Sequence, residues 1–262
     1  MDLQLQGKHV LITGGSRGIG LACAREFLRE GCKVSLIGRD EKRLQEALAG
    51  LAVEARRSAG FPADLRDPAA AVRAVDAAEA QLGAIDVLVN SAGAAKRTSF
   101  AELEAQAWRD ARDSKFFTYV HATDPVVKRM GARGTGAIVN VIGMGGKVAT
   151  PTHLPGGAAN AALMLVTAGL AAAWGPRGVR VNAVNPTLTF TDRLAEGLAA
   201  DARQRNTTAE EALRQAQQKM PLGRLAQPEE VAAAVVFLAS PRASYISGAI
   251  LSVDGATSPL VV

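Results

Sequence analysis

The residues whose types and spacing first suggest chemistry are the glycines of Thr13-Gly14-Gly15-Ser16-Arg17-Gly18-Ile19-Gly20. An apolar run precedes them and a stretch of helical periodicity follows. Without Cβ atoms the chain turns tightly, phosphate oxygens approach the backbone, and a helix packs close on a strand. The start of that helix offers unpaired N–H groups and a partial positive charge. A pyrophosphate is the group such a loop receives, so the expected ligand is a dinucleotide.

The choice of dinucleotide is read about 20 residues further on, where an NAD(H) site carries an acidic residue for the ribose 2′-hydroxyl. Here the chain reads Ile37-Gly38-Arg39-Asp40, so Gly38 stands at the acidic position and Arg39 follows. Arg17, inside the glycine loop, reaches the same place. Paired guanidinium groups suit a 2′-phosphate, because arginine binds phosphate oxygens bidentately. NADP(H) is therefore expected over NAD(H). The competing reading leaves Arg39 solvated and has Asp40 cap the next helix.

Positioning these residues requires alternating strands and helices. Apolar β-rich runs predict strands at 9–12, 33–37, 59–62, 86–90, 137–142, 180–184 and 249–253. Amphipathic segments predict helices at 18–30, 41–57, 68–82, 102–130, 156–174 and 228–238, the fourth of them bent at Pro125. This alternation predicts an α/β fold: a doubly wound parallel sheet of Rossmann type with helices on both faces. No repeat or linker divides residues 1–262, so one domain is expected. Residues 188–220 break the alternation and read either as a lid over a cleft or as a surface helix pair.

Composition narrows the function. Apolar residues make up 48% and aromatics only 4%, so the core must be built from Ala, Val, Leu and Ile. The net charge of +5 comes from scattered residues with no basic run, which excludes a nucleic-acid reader. Cys23 and Cys32 form no CxxC pair and fit a reduced cytoplasmic protein. No signal core and no uninterrupted membrane-spanning apolar run is expected, and no metal-ligand cluster stands out.

Several further motifs then resemble the short-chain dehydrogenase/reductase family. The glycine spacing Gly14, Gly18, Gly20 is that family's form, and so is Asp64-Leu65 after the third strand. Asn90-Ser91-Ala92-Gly93 is similar to its Asn-Asn-Ala-Gly motif. Arg177 to Pro186 resembles the strand-six signature, and Tyr245-Ile246-Ser247-Gly248 through Val253-Asp254-Gly255 the C-terminal one. The resemblance covers essentially the whole chain. It implies cofactor contacts from Gly14, Ser16, Arg17, Gly18, Ile19, Gly20, Arg39, Asp64, Leu65, Asn90, Ala92, Gly93, Pro186, Thr189 and Thr191. It also implies a small-molecule substrate and a homodimer or homotetramer.

The catalytic set of that family is Ser, Tyr and Lys with an Asn. The Tyr transfers a proton, the Lys lowers its pKa and holds the ribose, the Ser bonds the substrate oxygen, and the Asn anchors a water relay. Counting back from Pro186 places Gly156 at the Tyr, Asn160 at the Lys and Gly143 at the Ser; counting on from Trp108 places Lys115 at the Asn. All four are altered. Of the two tyrosines, Tyr245 lies in the C-terminal signature and Tyr119 is expected to face the core. His153, three residues before Gly156, and Lys115 are the candidate substitutes. The glycines at 143, 145, 146, 156 and 157 are expected to leave a wide, flexible floor open to a bulky ligand.

Losing the general acid costs roughly 10²–10⁴ in rate, and losing an oxyanion donor roughly 10²–10³ more. Ordinary ketone reduction is therefore expected to be weak or absent. Three classes follow: an enzyme of altered chemistry, a cofactor-sensing binding module without turnover, and a non-catalytic partner subunit of an active relative.

Overall fold

In the computed structural model the apolar runs pair into one parallel sheet, and the elements between them cover both of its faces. The structure describes residues 1–51, 57–93, 95–98, 100–192, 194–195, 198–199, 202 and 207–260. The strands are β1 (His9–Thr13), β2 (Lys33–Gly38), β3 (Ser58–Pro62), β4 (Val87–Asn90), β5 (Gly136–Val141), β6 (Val179–Pro186) and β7 (Ile250–Val253). Their order is β3-β2-β1-β4-β5-β6-β7. The chain winds outward in both directions from β1 and β4, whose register pairs Val10 with Val87 and Thr13 with Asn90.

The helices are α1 (Gly18–Arg29), α2 (Glu41–Ala49), α3 (Pro68–Leu82), α4 (Ala105–Ala111), α5 (Thr118–Arg133), α6 (Leu154–Trp174), α7 (Ala209–Gln218) and α8 (Pro228–Ala239). Strand alternation divides the core. Val10 and Ile12 face the layer that contains Phe27 of α1 and Val235 of α8, while Leu11 faces Val75 of α3 and Val126 of α5. Both faces of the sheet are buried, which is why its strands read as near-continuous apolar runs. Arg180 of β6 ties the end of α8 to the sheet, donating to the carbonyls of Leu238 at 2.8 Å and Ala239 at 3.1 Å. Cationic donors at a helix C-terminus satisfy its unpaired carbonyls.

Three expectations are corrected. The helix predicted over 41–57 stops at Ala49, with Gly50 at its cap; residues 52–56 lie outside those described. The segment predicted as one helix over 102–130 is α4 and α5, joined by a six-residue π-helical turn, Arg112–Phe117. α5 continues through Pro125 to Arg133, leaving the His121 carbonyl without its usual amide partner. Finally, Pro151–Arg177, 27 residues including α6, is long and apolar enough to span a bilayer, contrary to expectation. Asn160 and Thr167 lie within it and are buried in the fold, as are Leu163 and Ala171. Within 188–220 the structure describes α7 and a bridge between Thr189 and Ala226; part of the segment lies outside the described residues.

Candidate cofactor and active site

A cleft of about 390 Å³ opens at the carboxyl ends of the strands, where the sheet order reverses between β1 and β4. Open α/β sheets bind ligands at this position. In the middle of the cleft the backbone comes too close for side chains. A Cβ on Gly20 would lie 2.3 Å from the Gly14 carbonyl oxygen, and one on Gly14 (φ +67°) would lie 2.8 Å from the Ala92 backbone. α1 begins at Gly18, and no side chain caps it. Its first amides are therefore left for an anion. Ser16, Arg17 and Ile19 line the same stretch, and Thr191 packs towards Gly18 from the opposite bank.

At the β2 end, four arginines line the cleft: Arg17, Arg39, Arg43 and Arg66. Two are already matched. Asp64 receives Arg66 Nε at 3.0 and 2.9 Å on its two oxygens. Those hydrogen bonds hold the Asp64 carboxyl below its usual range. Asp40 accepts from the Arg43 amide at 3.1 Å as the cap of α2 and pairs with the Arg43 side chain at 3.3 Å. Among the described residues neither Arg17 nor Arg39 forms an ion pair, although Arg39 lies near enough to Asp64 to help hold its carboxyl low. The glycine cradle and these guanidinium groups fit a pyrophosphate-bridged nucleotide with an extra phosphate.

At the β4–β6 end the cofactor candidates separate into lining and support. Ala92, Gly93, Pro186 and Thr191 line the cleft. Asn90 does not; it is fully buried behind the wall, donating to Thr123 Oγ1 at 2.9 Å and Asn140 Oδ1 at 3.0 Å. Thr189 is also buried, with its hydroxyl on the Thr187 carbonyl at 3.2 Å. Thr13 Oγ1 fixes the turn after β4 by accepting from the amides of Ser91 and Ala92 at 3.1 and 3.2 Å.

The four positions singled out in the sequence, Lys115, Gly143, Gly156 and Asn160, lie around one loop. Lys115 sits on the π turn and lines the cleft, its Nζ donating to the Ile142 carbonyl at 3.0 Å. Next to it is Gly143, whose φ of +122° is a conformation that favours glycine. Asn160 Nδ2 donates to the Gly143 carbonyl at 3.3 Å, and its buried Oδ1 has no hydrogen-bond partner among the described residues. A Cβ on Gly156 would lie 2.2 Å from His153 Cε1 and 2.5 Å from Nε2. The imidazole thus fills the space where a side chain at 156 would begin.

This overturns the wide, flexible floor. A Cβ on Gly146 would strike Met164 and the Ala161 amide at 2.6 and 2.8 Å, and one on Gly157 would strike the Gly145 carbonyl at 2.7 Å. These glycines let two backbones touch, and among the described residues lining the cleft none comes from 143–157. Tyr119 borders the cleft, but its hydroxyl donates to the Val141 carbonyl, and burial raises its pKa.

Comparison with known proteins agrees with this geometry. The family profile described as enoyl-(acyl carrier protein) reductase matches residues 14–257. D-threitol dehydrogenase of Mycolicibacterium smegmatis is 35% identical over 257 residues, covering 97% of this chain and 94% of that one. The chain belongs to the short-chain dehydrogenase/reductase family. Among solved structures of similar fold, L-sorbose reductase of Gluconobacter frateurii, complexed with NADPH and L-sorbose, superposes with a TM-score of 0.92 at 30% identity, covering 97% of this chain and 98% of that one. An NADPH-bound short-chain oxidoreductase of Pseudomonas aeruginosa PAO1, described as containing an atypical catalytic center, gives 0.88 at 31%, covering 97% and 98%.

For this short-chain dehydrogenase/reductase, sequence reasoning missed Arg43, Arg66, Ile142 and Asp192, all of which line the cleft. Arg43 and Arg66 lay close to the recognised Arg39 and Asp64, and a charge count around those motifs would have found them. Ile142 and Asp192 carry no such signal.

Proposed function

We propose that the chain is an NADP(H)-dependent oxidoreductase acting on a small organic substrate, in which the family's tyrosine–lysine pair does not carry the proton. Gly14, Gly18 and Gly20 cradle the pyrophosphate, Arg17 and Arg39 take the 2′-phosphate, and Ala92, Gly93, Pro186 and Thr191 border the second nucleotide. When bound, the nicotinamide supplies or accepts hydride. The protein's own residues orient it, exclude water and handle charge at Lys115. The observation that carries the altered chemistry is the His153 ring occupying the first-atom position of a side chain at 156. No phenol can stand there without displacing it. The atypical catalytic center described for the Pseudomonas relative supports the view that such a site is compatible with bound NADPH.

Residues 188–220 are read as the cover of the cleft, which Thr191 and Asp192 support by lining it. Self-association through α6 is supported by Leu165, a large apolar side chain left 77% exposed. The cofactor-sensing module is the second reading, favoured by the closed packing of 143–157. NADPH binding followed by fluorescence, then turnover on a panel of ketones, aldehydes and quinones, separates these readings. Brisk reduction of a simple ketone contradicts both. Slow turnover abolished by Lys115→Ala or His153→Ala assigns the proton or charge role to that residue.

A further inference from the structure

We propose that this cleft does not read the 6-amino group of adenine: Arg66 holds the carboxylate of Asp64, the acceptor that would receive that group, so a dinucleotide carrying a 6-oxopurine is bound as well as NADPH. The inference rests on the reading of the cleft as an NADP(H) site.

The place of the purine follows from the place of the arginines. Arg39 stands after β2 and Arg17 in the glycine loop, so the ribose bearing the 2′-phosphate lies at that end. The purine on that ribose then reaches the outermost strand end, after β3, where Ala63, Asp64, Leu65 and Arg66 line the cleft. A purine edge is told apart by its donors and acceptors. A carboxylate accepts from an exocyclic amine, whereas a guanidinium donates to the O6 and N7 of a 6-oxopurine.

The acceptors at this end are engaged. Asp64 Oδ1 accepts from the Arg66 amide at 3.0 Å and from Arg66 Nε at 3.0 Å, and Oδ2 accepts from Nε at 2.9 Å and from Nη2. Each carboxylate oxygen is thus filled to about its capacity. The Asp64 carbonyl accepts from the Asp67 amide at 3.0 Å, and the Leu65 carbonyl from His121 Nδ1 at 2.9 Å. Asp40 caps α2 and pairs with Arg43. The Asp64–Arg66 pair closes within one turn, two residues apart in sequence. The other acids that act on Arg66 have partners of their own: Asp113 pairs with Arg112 at 3.2 Å, and Asp110 accepts from Gln106 at 2.7 Å. The bonds from Arg66, with Arg39 nearby, keep Asp64 ionised, so it offers no O–H to a purine either. What the pair leaves for a ligand is the guanidinium, whose N–H groups beyond Nε and Nη2 remain to donate.

The test is binding, not turnover. The full chain is titrated by fluorescence with NADPH and with its analogue carrying hypoxanthine in place of adenine. Wild type is expected to bind the two within about threefold of each other. Arg66→Met frees the carboxylate, which then accepts from the adenine amine and repels O6, so NADPH becomes the tighter ligand by about tenfold or more. Adding Asp64→Ala to Arg66→Met brings the ratio back near unity, because Arg66 acts through Asp64. The two side chains are 52% and 37% exposed, so their loss leaves the core intact. Wild type that favours NADPH over the analogue by about tenfold or more overturns the proposal, as does an unchanged ratio in Arg66→Met, and both results leave the cofactor reading standing. Failure of wild type to bind NADPH overturns both.

Discussion

The two ends of the cleft solve the same packing problem by different means. Around β1 the tightest approaches, where Gly20 meets the Gly14 carbonyl and Gly14 meets the Ala92 backbone, are between backbones, while Gly15 meets the Leu36 side chain, and Arg17 and Arg39 line the cleft beside them. Around β5 and α6, the glycines at 145, 146, 156 and 157 admit neighbouring side chains and backbone where a Cβ would stand. His153 swings into the place of a side chain at 156, Met164 and Asn160 close on Gly146, and Asn160 reaches the Gly143 carbonyl. Interiors pack to crystal-like density, so a lost side chain is replaced by its neighbours wherever the backbone can follow. The nucleotide end is thus shaped by contacts that no rotamer change can relieve, whereas the 143–157 loop is shaped in part by side chains that can move.

The most forceful way to break this contrast is at the glycine cradle. Gly20→Ala puts a Cβ against a backbone oxygen that no rotamer change can move. α1 must shift off the β1 turn, and NADPH affinity is expected to fall at least about 100-fold, from the loss of several amide–phosphate hydrogen bonds at roughly 1.5–3 kcal/mol each. Fluorescence titration measures this, and near-wild-type affinity would mean that the pyrophosphate does not sit on this turn. Next in size, Arg39→Ala and Arg17→Ala each lose a charge-assisted contact of roughly 1.5–3 kcal/mol. NADPH binding should weaken about 10- to 100-fold while NADH binding stays within about twofold. Equal losses for both nucleotides would remove the 2′-phosphate from this end.

The same contrast explains what the sequence made legible. The strands were readable because both faces are buried and apolar residues dominate, as in Val10-Leu11-Ile12 of β1 and Ala137-Ile138-Val139 of β5. The glycine cradle was readable because three spaced glycines between a strand and a helix have one geometric use. The π turn was not, since Asp110 to Thr118 has the composition of an ordinary helix and the extra residue shows only in hydrogen bonding. Nor was the closed floor: a glycine-rich loop reads as open space, but here each missing Cβ admits a backbone or a ring. The place of His153 follows from one side chain's direction, which spacing along the chain does not encode.

At the β5–α6 end, Gly156→Ala should cost about 1–2 kcal/mol of stability through overpacking. The new methyl would meet His153 and, at 2.7 Å, Ala95 Cβ. His153→Ala in the same chain should recover most of that loss, giving a favourable coupling in a double-mutant cycle read by urea unfolding. Additive losses would show that the ring does not fill the site. Gly156→Tyr alone is expected to restore no ketone reductase activity, because the ring stands where the phenol would begin.

The smallest effect tests whether the two ends share one scaffold. His9 opens β1 at the edge opposite the cleft and is buried, its Nδ1 2.7 Å from the Gly83 carbonyl and its Nε2 2.8 Å from Ser35 Oγ. A carbonyl only accepts, so Nδ1 carries the proton and Nε2 accepts from the serine. Burial lowers the His9 pKa below its ordinary 6.5, outweighing the Gly83 carbonyl and the carboxylates of Asp86 and Glu79. The unfolded chain therefore takes up a proton at a pH where the folded one does not. Stability is full above about pH 6.5 and falls as the pH drops towards the lowered value, by at most about 1.4 kcal/mol per unit. Urea unfolding at pH 7.5 and 5.5 should show this slope, and His9→Gln should remove this residue's share of it. The transition should also coincide by far-UV circular dichroism and by the fluorescence of Trp174, which packs on Gly131 at the end of α6. Coincidence means that acid loosens both ends of the cleft together, because one continuous sheet carries them; an early Trp174 transition would make the β5–α6 end a separate unit, and its rebuilt packing a local collapse that the nucleotide end never feels.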